Sequence, residues 1–277
     1  MEPLAIIPLR ARRLLEGPSM SVIASKIDFQ KTTANVEYRI AATRQERADA
    51  FRLVYDSYLR AGLGEPNPYG LRVTPYHLLP TTEVFIATLH GQVICTMTLV
   101  IDGELGLPIE EVYGDNVAAL RHQGLLLGEV SCLADRRASS RELFPVFWRL
   151  SGMVVQYSQR RGVDALVVAC HPKHARFYQR TMDFRPLGEQ RDYPTVRNRP
   201  AMAVWLEFAR AEAEGSEKFR LLVGSPYPWR DLEPRPIHDA DRTFFGRMVD
   251  PVFEMVPVGA FSNLQNQGQD TPAIGAA

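Results

Sequence analysis

Apolar positions change their spacing several times between residues 36 and 208, and each change marks an element. "VEYRIAA" (36–42) alternates apolar and polar, the two-residue period of a half-buried strand. The period then becomes helical. Thr43 stands three residues before Glu46, a capping-box start, and Phe51, Val54, Tyr55, Tyr58 and Leu59 share one face until Gly62 and Gly64. "EVFIATL" and "QVICTMTLVI" flank His90-Gly91 and predict a hairpin, with Gly91 supplying the positive φ of the turn. Residues 103–123 show no clear period and read as an irregular insertion, and a strand is expected over about 125–133. Ser139 and Glu142 form a second capping-box pair, opening a helix with Leu143, Phe147, Leu150, Val154 and Tyr157 on one face and Gly162 as its stop. "DALVVAC" (164–170) is continuously apolar, as in a central strand covered on both sides. "HPKHARFYQR" starts a short helix with Pro172 in its first turn, and "AMAVWLEF" (201–208) closes the series as a strand.

The order predicts an α/β (α+β) fold: a mixed central sheet of six or seven strands flanked by helices. The expected organisation is an N-terminal arm at 1–34, one domain at 35–208, a proline-rich extension at 209–260 that wraps the core, and a disordered tail at 261–277. Met20 is a second candidate start site.

Composition narrows the class. Lys plus Arg and Asp plus Glu balance at 32 each, which gives no support to a nucleic-acid partner. Cys95, Cys132 and Cys170 sit in apolar runs without metal-ligand spacing, the pattern of reduced core thiols in a reducing compartment. No apolar run reaches the roughly 18 residues of a membrane span. The expected location is the cytoplasm.

Three places carry candidate chemistry. In "GLLLGEVSCLADRR" (124–137), Glu129 interrupts Leu125, Leu126, Leu127, Val130, Cys132 and Leu133. A carboxylate in such a run needs an ion-pair partner or opens onto a cleft with a shifted pKa. Ser131 lies two residues on, and Arg136, Arg137 and Arg141 surround the start of the next helix, where cations and free N–H groups suit a phosphate. In "HPKHARFYQRTMDF", Tyr178 is either a packing aromatic or a proton donor; His171 and His174 share a face but lack a third metal ligand. The proline-rich loop "EPNPYGLRVTPYHLLPTT" is long for an interior connection and contributes Arg72, Tyr76 and His77 beside a helix carrying Arg52, Tyr55, Tyr58 and Arg60, a cluster able to hold a carboxylate.

The element order, with "HARFYQRTMDF" after an apolar strand, resembles the GNAT acyltransferase fold. The turn "ADRRASSRE" has no glycine where most GNAT enzymes have a glycine-rich phosphate loop, and Met182-Asp183 precede Phe184 where they have a single glycine. Acyl-homoserine lactone synthases, GNAT relatives that draw on acyl carrier protein, also lack that loop. "YHLLPTTEVFIA", "LLGEVSCLA" and "HPKHARFYQR" together are similar to the long-chain N-acyl amino acid synthases of the FeeM type, over about residues 36–208.

That resemblance implies transfer of a fatty acyl group from acyl-acyl carrier protein to the α-amine of an amino acid, tyrosine or another aromatic first among them. It implies no tightly bound cofactor, the phosphopantetheine thioester being a co-substrate. Glu129 would take the ammonium proton, Tyr178 would protonate the leaving thiolate, and strand N–H groups near Glu129 and Ser131 would meet the oxyanion. Arg52, Tyr55, Tyr58, Arg72 and His77 would bind the amino acid. Arg136, Arg137 and Arg141 would meet the pantetheine phosphate or the acidic carrier. Apolar residues of the 143–157 helix would line the acyl slot. The runner-up is an acyl-homoserine lactone synthase; an acetyl-CoA acetyltransferase is disfavoured by the missing glycine loop, and a non-catalytic acyl- or carrier-binding module is the rival of another class.

Overall fold

A computed structural model gives the architecture over residue 33 and residues 35–137 and 140–253, the side chains at 140 and 141 excepted. The expected arm (Thr33 aside), the 261–277 tail, the Ser139 end of the second capping box and the side chain of Arg141 lie outside these described residues.

Strand β1 (Val36–Ile40) leads into helix α1 (Arg44–Arg60), and the hairpin strands are β2 (Thr82–Leu89) and β3 (Gln92–Ile101). Helix α2 (Glu110–His122) precedes β4 (Leu127–Asp135), α3 (Ser140–Arg160), β5 (Ala165–Cys170) and α4 (Pro172–Thr181). Two short strands, β6 (Arg185–Pro186) and β7 (Arg191–Tyr193), precede β8 (Arg199–Glu207). Helices α5 (Phe208–Ala213), α6 (Glu217–Val223) and α7 (Asp239–Gly246) follow. The sheet has eight strands in the order β1-β2-β3-β4-β5-β8-β6, with β7 also on β8. Among the described strands only β4 and β5 run parallel; the other neighbours are antiparallel.

Local signals formed as their chemistry requires. Thr43 and Glu46 close a reciprocal capping box on α1. His90 and Gly91 both take positive φ in the hairpin turn, as a tight primed turn demands. His171 caps α4, its ring accepting from the Lys173 N–H at 3.2 Å, so it is occupied with the backbone.

Residues 103–123 correct the expectation of an irregular insertion. Within them α2 buries Tyr113, Val117 and Leu120, a face at spacings of four and three. Gly114 inside the run and a kink at Tyr113 (φ −120°) obscure that period.

The sheet is covered on both sides. α3, α4 and α6 pack on one face, where Leu133, Phe147, Leu166, Val168, Phe177, Val204 and Phe219 share a core. α1 and α2 cover the other, with Phe51, Val54, Ile86, Cys132 and Ala134 under α1 and Tyr113, Val117, Leu127 and Val167 under α2. The segment after β8 lies on this core: α6 packs against α3, and the buried carboxylate of Glu83 accepts from Tyr157 Oη at 3.0 Å and from the Arg235 N–H at 2.9 Å.

Candidate active site

The site begins where two parallel strands part. β4 and β5 are in register only at Leu127↔Ala165, Gly128↔Leu166 and Glu129↔Val167, although β4 continues to Asp135 and β5 to Cys170. The cause lies partly in β4. Its register with β3 slips between Thr98↔Ser131 and Thr96↔Ala134, and Cys132 takes φ 50°, a left-handed conformation that costs a non-glycine residue about 1 kcal/mol or more. A bulge bends its strand and breaks the alternation of side chains. Here Val130 packs on the α3 side and Cys132, two residues on, on the α1 side, where an unbroken strand would put both on one face.

A cavity of about 410 Å³ passes through this opening. On the α1/α2 side it is lined by polar and aromatic groups, among them Tyr58, Arg72, Tyr76, Glu111, Glu129 and Tyr193. On the α3/α4 side it is apolar, with Met97, Phe147, Val154, Val155, Val168 and Met182 in its walls. One chamber therefore offers charge and hydrogen bonds at one end and a greasy slot at the other.

Glu129 is 3% exposed. Its Oε2 accepts the Ile109 N–H at 2.6 Å, and no cation is paired with it among the described residues. Burial pushes its pKa up to about 8; the Ile109 N–H opposes the rise and neighbouring Glu110 adds to it. The rival reading of Glu129, a structural ion pair with an arginine, is not what the fold builds.

Arg72 is the cation of the polar end. It is 4% exposed, donates from Nη1 to Asp250 Oδ2 at 3.1 Å and from Nη2 to the Thr195 carbonyl at 3.5 Å. Its guanidinium carbon lies 4.5 Å from the Tyr58 ring centre and 5.4 Å from that of Phe253. Its Nε is buried without a hydrogen-bond partner among the described residues, an unsatisfied donor beside the chamber. Burial holds the Tyr76 phenol up at about 12 and the Tyr58 phenol well above its ordinary range, so both rings stay neutral donors. Tyr193 Oη donates to the Pro108 carbonyl at 2.8 Å, tying β7 to the segment before α2.

Tyr178 borders the apolar side, with the rings of Phe147 and Phe184 at 6.2 and 5.3 Å. Burial raises its pKa, as do Cys170 and Cys95. It keeps its proton and acts as a hydrogen-bond donor more readily than as an acid.

The structure brings Glu129, Ser131, Tyr178, Tyr58 and Arg72 to one chamber. It leaves others outside. His77 is buried away from the cavity with both ring nitrogens engaged, Nδ1 accepting the Thr74 N–H at 2.9 Å and Nε2 3.2 Å from Thr98 Oγ1; burial depresses its pKa to about 3, so it is a neutral structural ring. Arg52 is on the outer face of α1, paired with Asp49 at 3.0 Å. Tyr55 exchanges hydrogen bonds with the Asn67 backbone and fastens the loop. The α1 face that includes Tyr58 turns inward, and one helix cannot also aim Arg52 there. Arg137 is ion-paired with buried Asp135 and donates to the Glu142 carbonyl at 2.6 Å, a stitch from β4 to α3 that leaves it engaged; Arg136 is exposed. Sequence reasoning missed Glu111, Tyr193, Thr195, Asp250 and Phe253, which are far apart in the chain and carry no local signature of the site.

A comparison with curated protein sequences finds no match. Among solved structures, FeeM, an N-acyl amino acid synthase from uncultured soil microbes, is 27% identical, with a TM-score of 0.53 over 62% of this chain and 91% of that one. The acyl-homoserine lactone synthase LasI (13% identity, TM-score 0.51, 70% of this chain, 96% of that one) shares the fold. So does the CoA-dependent acyl-homoserine lactone synthase BjaI (15%, 0.52, 76% and 100%), solved with SAM and isopentyl-CoA. The fold is GNAT-like. The family described as N-acyl amino acid synthase FeeM matches residues 49–207, more than half of the chain and the stretch holding Glu129, Arg72 and the parting of β4 from β5. This chain is an N-acyltransferase of the FeeM family of N-acyl amino acid synthases.

Proposed function

We propose that the protein transfers a long-chain acyl group from acyl-acyl carrier protein to the α-amine of an amino acid, tyrosine or another aromatic being the leading acceptor. The observation that carries this reading is the single chamber through the sheet, polar on the α1/α2 side and apolar on the α3/α4 side. The acyl chain lies along Phe147, Val154 and Val155 of α3, which places its thioester at the opening between β4 and β5. The amino acid enters from the other side, its carboxylate on Arg72.

An α-ammonium has no lone pair with which to attack. Glu129, with a pKa near 8, takes one proton from it at little thermodynamic cost, which an ordinary carboxylate near 4.5 does less well. The amine nitrogen then bonds to the thioester carbon, and the carbonyl oxygen becomes an oxyanion facing main-chain donors where the two strands separate. Collapse breaks the carbon–sulfur bond. The nitrogen sheds its second proton, the departing thiolate takes one up, and the products are an amide, a thiol and a proton on Glu129. Tyr178 donates a hydrogen bond to the sulfur. Ser131 lines the same wall and is a further donor.

Mass spectrometry of lipid extracts from bacteria expressing the chain tests the reading. New species at amino acid plus fatty acid minus water are expected, and Glu129→Ala should lower their formation about 10²-fold or more. Lactones released with methylthioadenosine would favour the homoserine lactone reading; carrier binding without any product, from folded protein, would favour a non-catalytic module.

A further inference from the structure

The acceptor end of the cavity is closed by a segment that the family match does not reach. Residues 249–253 lie well beyond position 207, yet Val252 and Phe253 line the chamber. The segment is stitched to the chain beside Arg72: Val249 bridges Val73 in parallel, and the Asp250 N–H donates to the Val73 carbonyl at 2.9 Å. α7 anchors it from behind, with Phe245 fully buried and its ring 5.1 Å from Phe51. Asp250 spends its two oxygens separately. Oδ1 accepts the Val252 N–H at 3.1 Å and shapes the turn, and Oδ2 accepts from Arg72. The result is a guanidinium flanked by the rings of Tyr58 and Phe253, fixed at one edge, with its buried Nε unpartnered among the described residues.

We propose that residues 249–253 complete the amino-acid site: Asp250 is a positioning residue that presents Arg72 to the substrate carboxylate, and Val252 and Phe253 select an apolar or aromatic side chain. This rests on the reading of the protein as an amino-acid acyltransferase. A flexible arginine has many ways to miss a carboxylate, and clamping one edge leaves the remaining donors pre-aimed. The walls explain the selection. Tyr58, Tyr193, Val196, Val252 and Phe253 surround the space, while Glu111 at the same end disfavours an acidic side chain.

The experiment is steady-state kinetics of the full chain with acyl-acyl carrier protein and a panel of amino acids. Asp250→Asn should raise the KM for the amino acid about tenfold or more, leave the KM for the acyl donor within about twofold, and be partly rescued by Asp250→Glu. Phe253→Ala, at a half-exposed position that threatens folding less, should reduce the preference for tyrosine or phenylalanine over alanine in kcat/KM about tenfold. Parallel changes in both substrates' KM, or an unaltered side-chain preference in Phe253→Ala, would overturn the inference and leave the acyltransferase reading standing. A fall in amino-acid KM in Asp250→Asn would also overturn it, because Asp250 would then compete with the substrate for Arg72. A wild-type chain that acylates no amino acid in the panel would sink the reading and the inference together.

Discussion

A carboxyl held near pKa 8 opposes folding at neutral pH, and Glu129 is such a group. Its folded pKa lies above its ordinary value of about 4.5, so its contribution to stability is fully present below that value and is lost as pH rises through about 8. Glu129→Gln keeps an acceptor for the Ile109 N–H and removes the titration. Its melting temperature relative to the wild type should therefore rise between about pH 4.5 and pH 8.5, as thermal denaturation across that range will show. Turnover should run the opposite way. In the wild type it should climb with pH to a plateau above about 8, as the basic form fills, and the variant should lose that rise along with most of its rate. Residue by residue, Glu129 was legible because a charge inside an apolar run is anomalous wherever it falls. Arg72 and Tyr58 were legible only as members of a cluster. Their neighbours Arg52, Tyr55 and His77 look equally suitable in one dimension, and only the rotation of α1 and the hydrogen bonds of the loop separate them.

At the scale of elements, α3 both builds the core and lines the slot. Phe147, Val154 and Val155 face the chamber, while Leu143, Leu150 and Tyr157 are buried in the packing. Filling the slot should shorten the acyl chain it accepts: Val155→Trp is expected to shift the product distribution, read by mass spectrometry, toward chains several carbons shorter with the amino acid unchanged. Elsewhere on α3 the constraint is backbone approach. A Cβ on Gly152 would stand 2.5 Å from the Leu222 carbonyl of α6, so Gly152→Ala must push the helices apart. The expected cost is about 1–3 kcal/mol, measurable by chemical denaturation. The helix itself and its apolar face were readable from spacing. α2 was not, because Gly114 and the kink at Tyr113 disturb its period, and the bulge at Ser131 and Cys132 was not, because nothing in "VSCLA" marks a left-handed residue.

Across the whole molecule, the chain after β8 is fastened at points remote in sequence. Glu83 of β2 links Tyr157 of α3 to the Arg235 backbone, and Asp250 reaches Arg72. Tyr157→Phe removes one hydrogen bond to a buried carboxylate away from the chamber. It should cost about 1–3 kcal/mol in stability, seen in denaturant titration, and leave acyl transfer at wild-type rates. A matching loss of turnover would mean that the Glu83 linkage also shapes the site.

What the sequence by itself determined is local: where most strands and helices form, how α1 is capped, and that one glutamate interrupts the apolar run of β4. These follow from periodicity and from hydrogen bonds spanning a few residues, and they do not need the rest of the chain. The tertiary structure alone decided that β4 parts from β5 after Glu129, that the parting opens a chamber with a polar and an apolar end, and that Asp250 and Phe253 meet Arg72 at its polar end. Each depends on contacts between segments tens to hundreds of residues apart, whose meeting is set by how the sheet twists and packs and leaves no periodic trace in the chain.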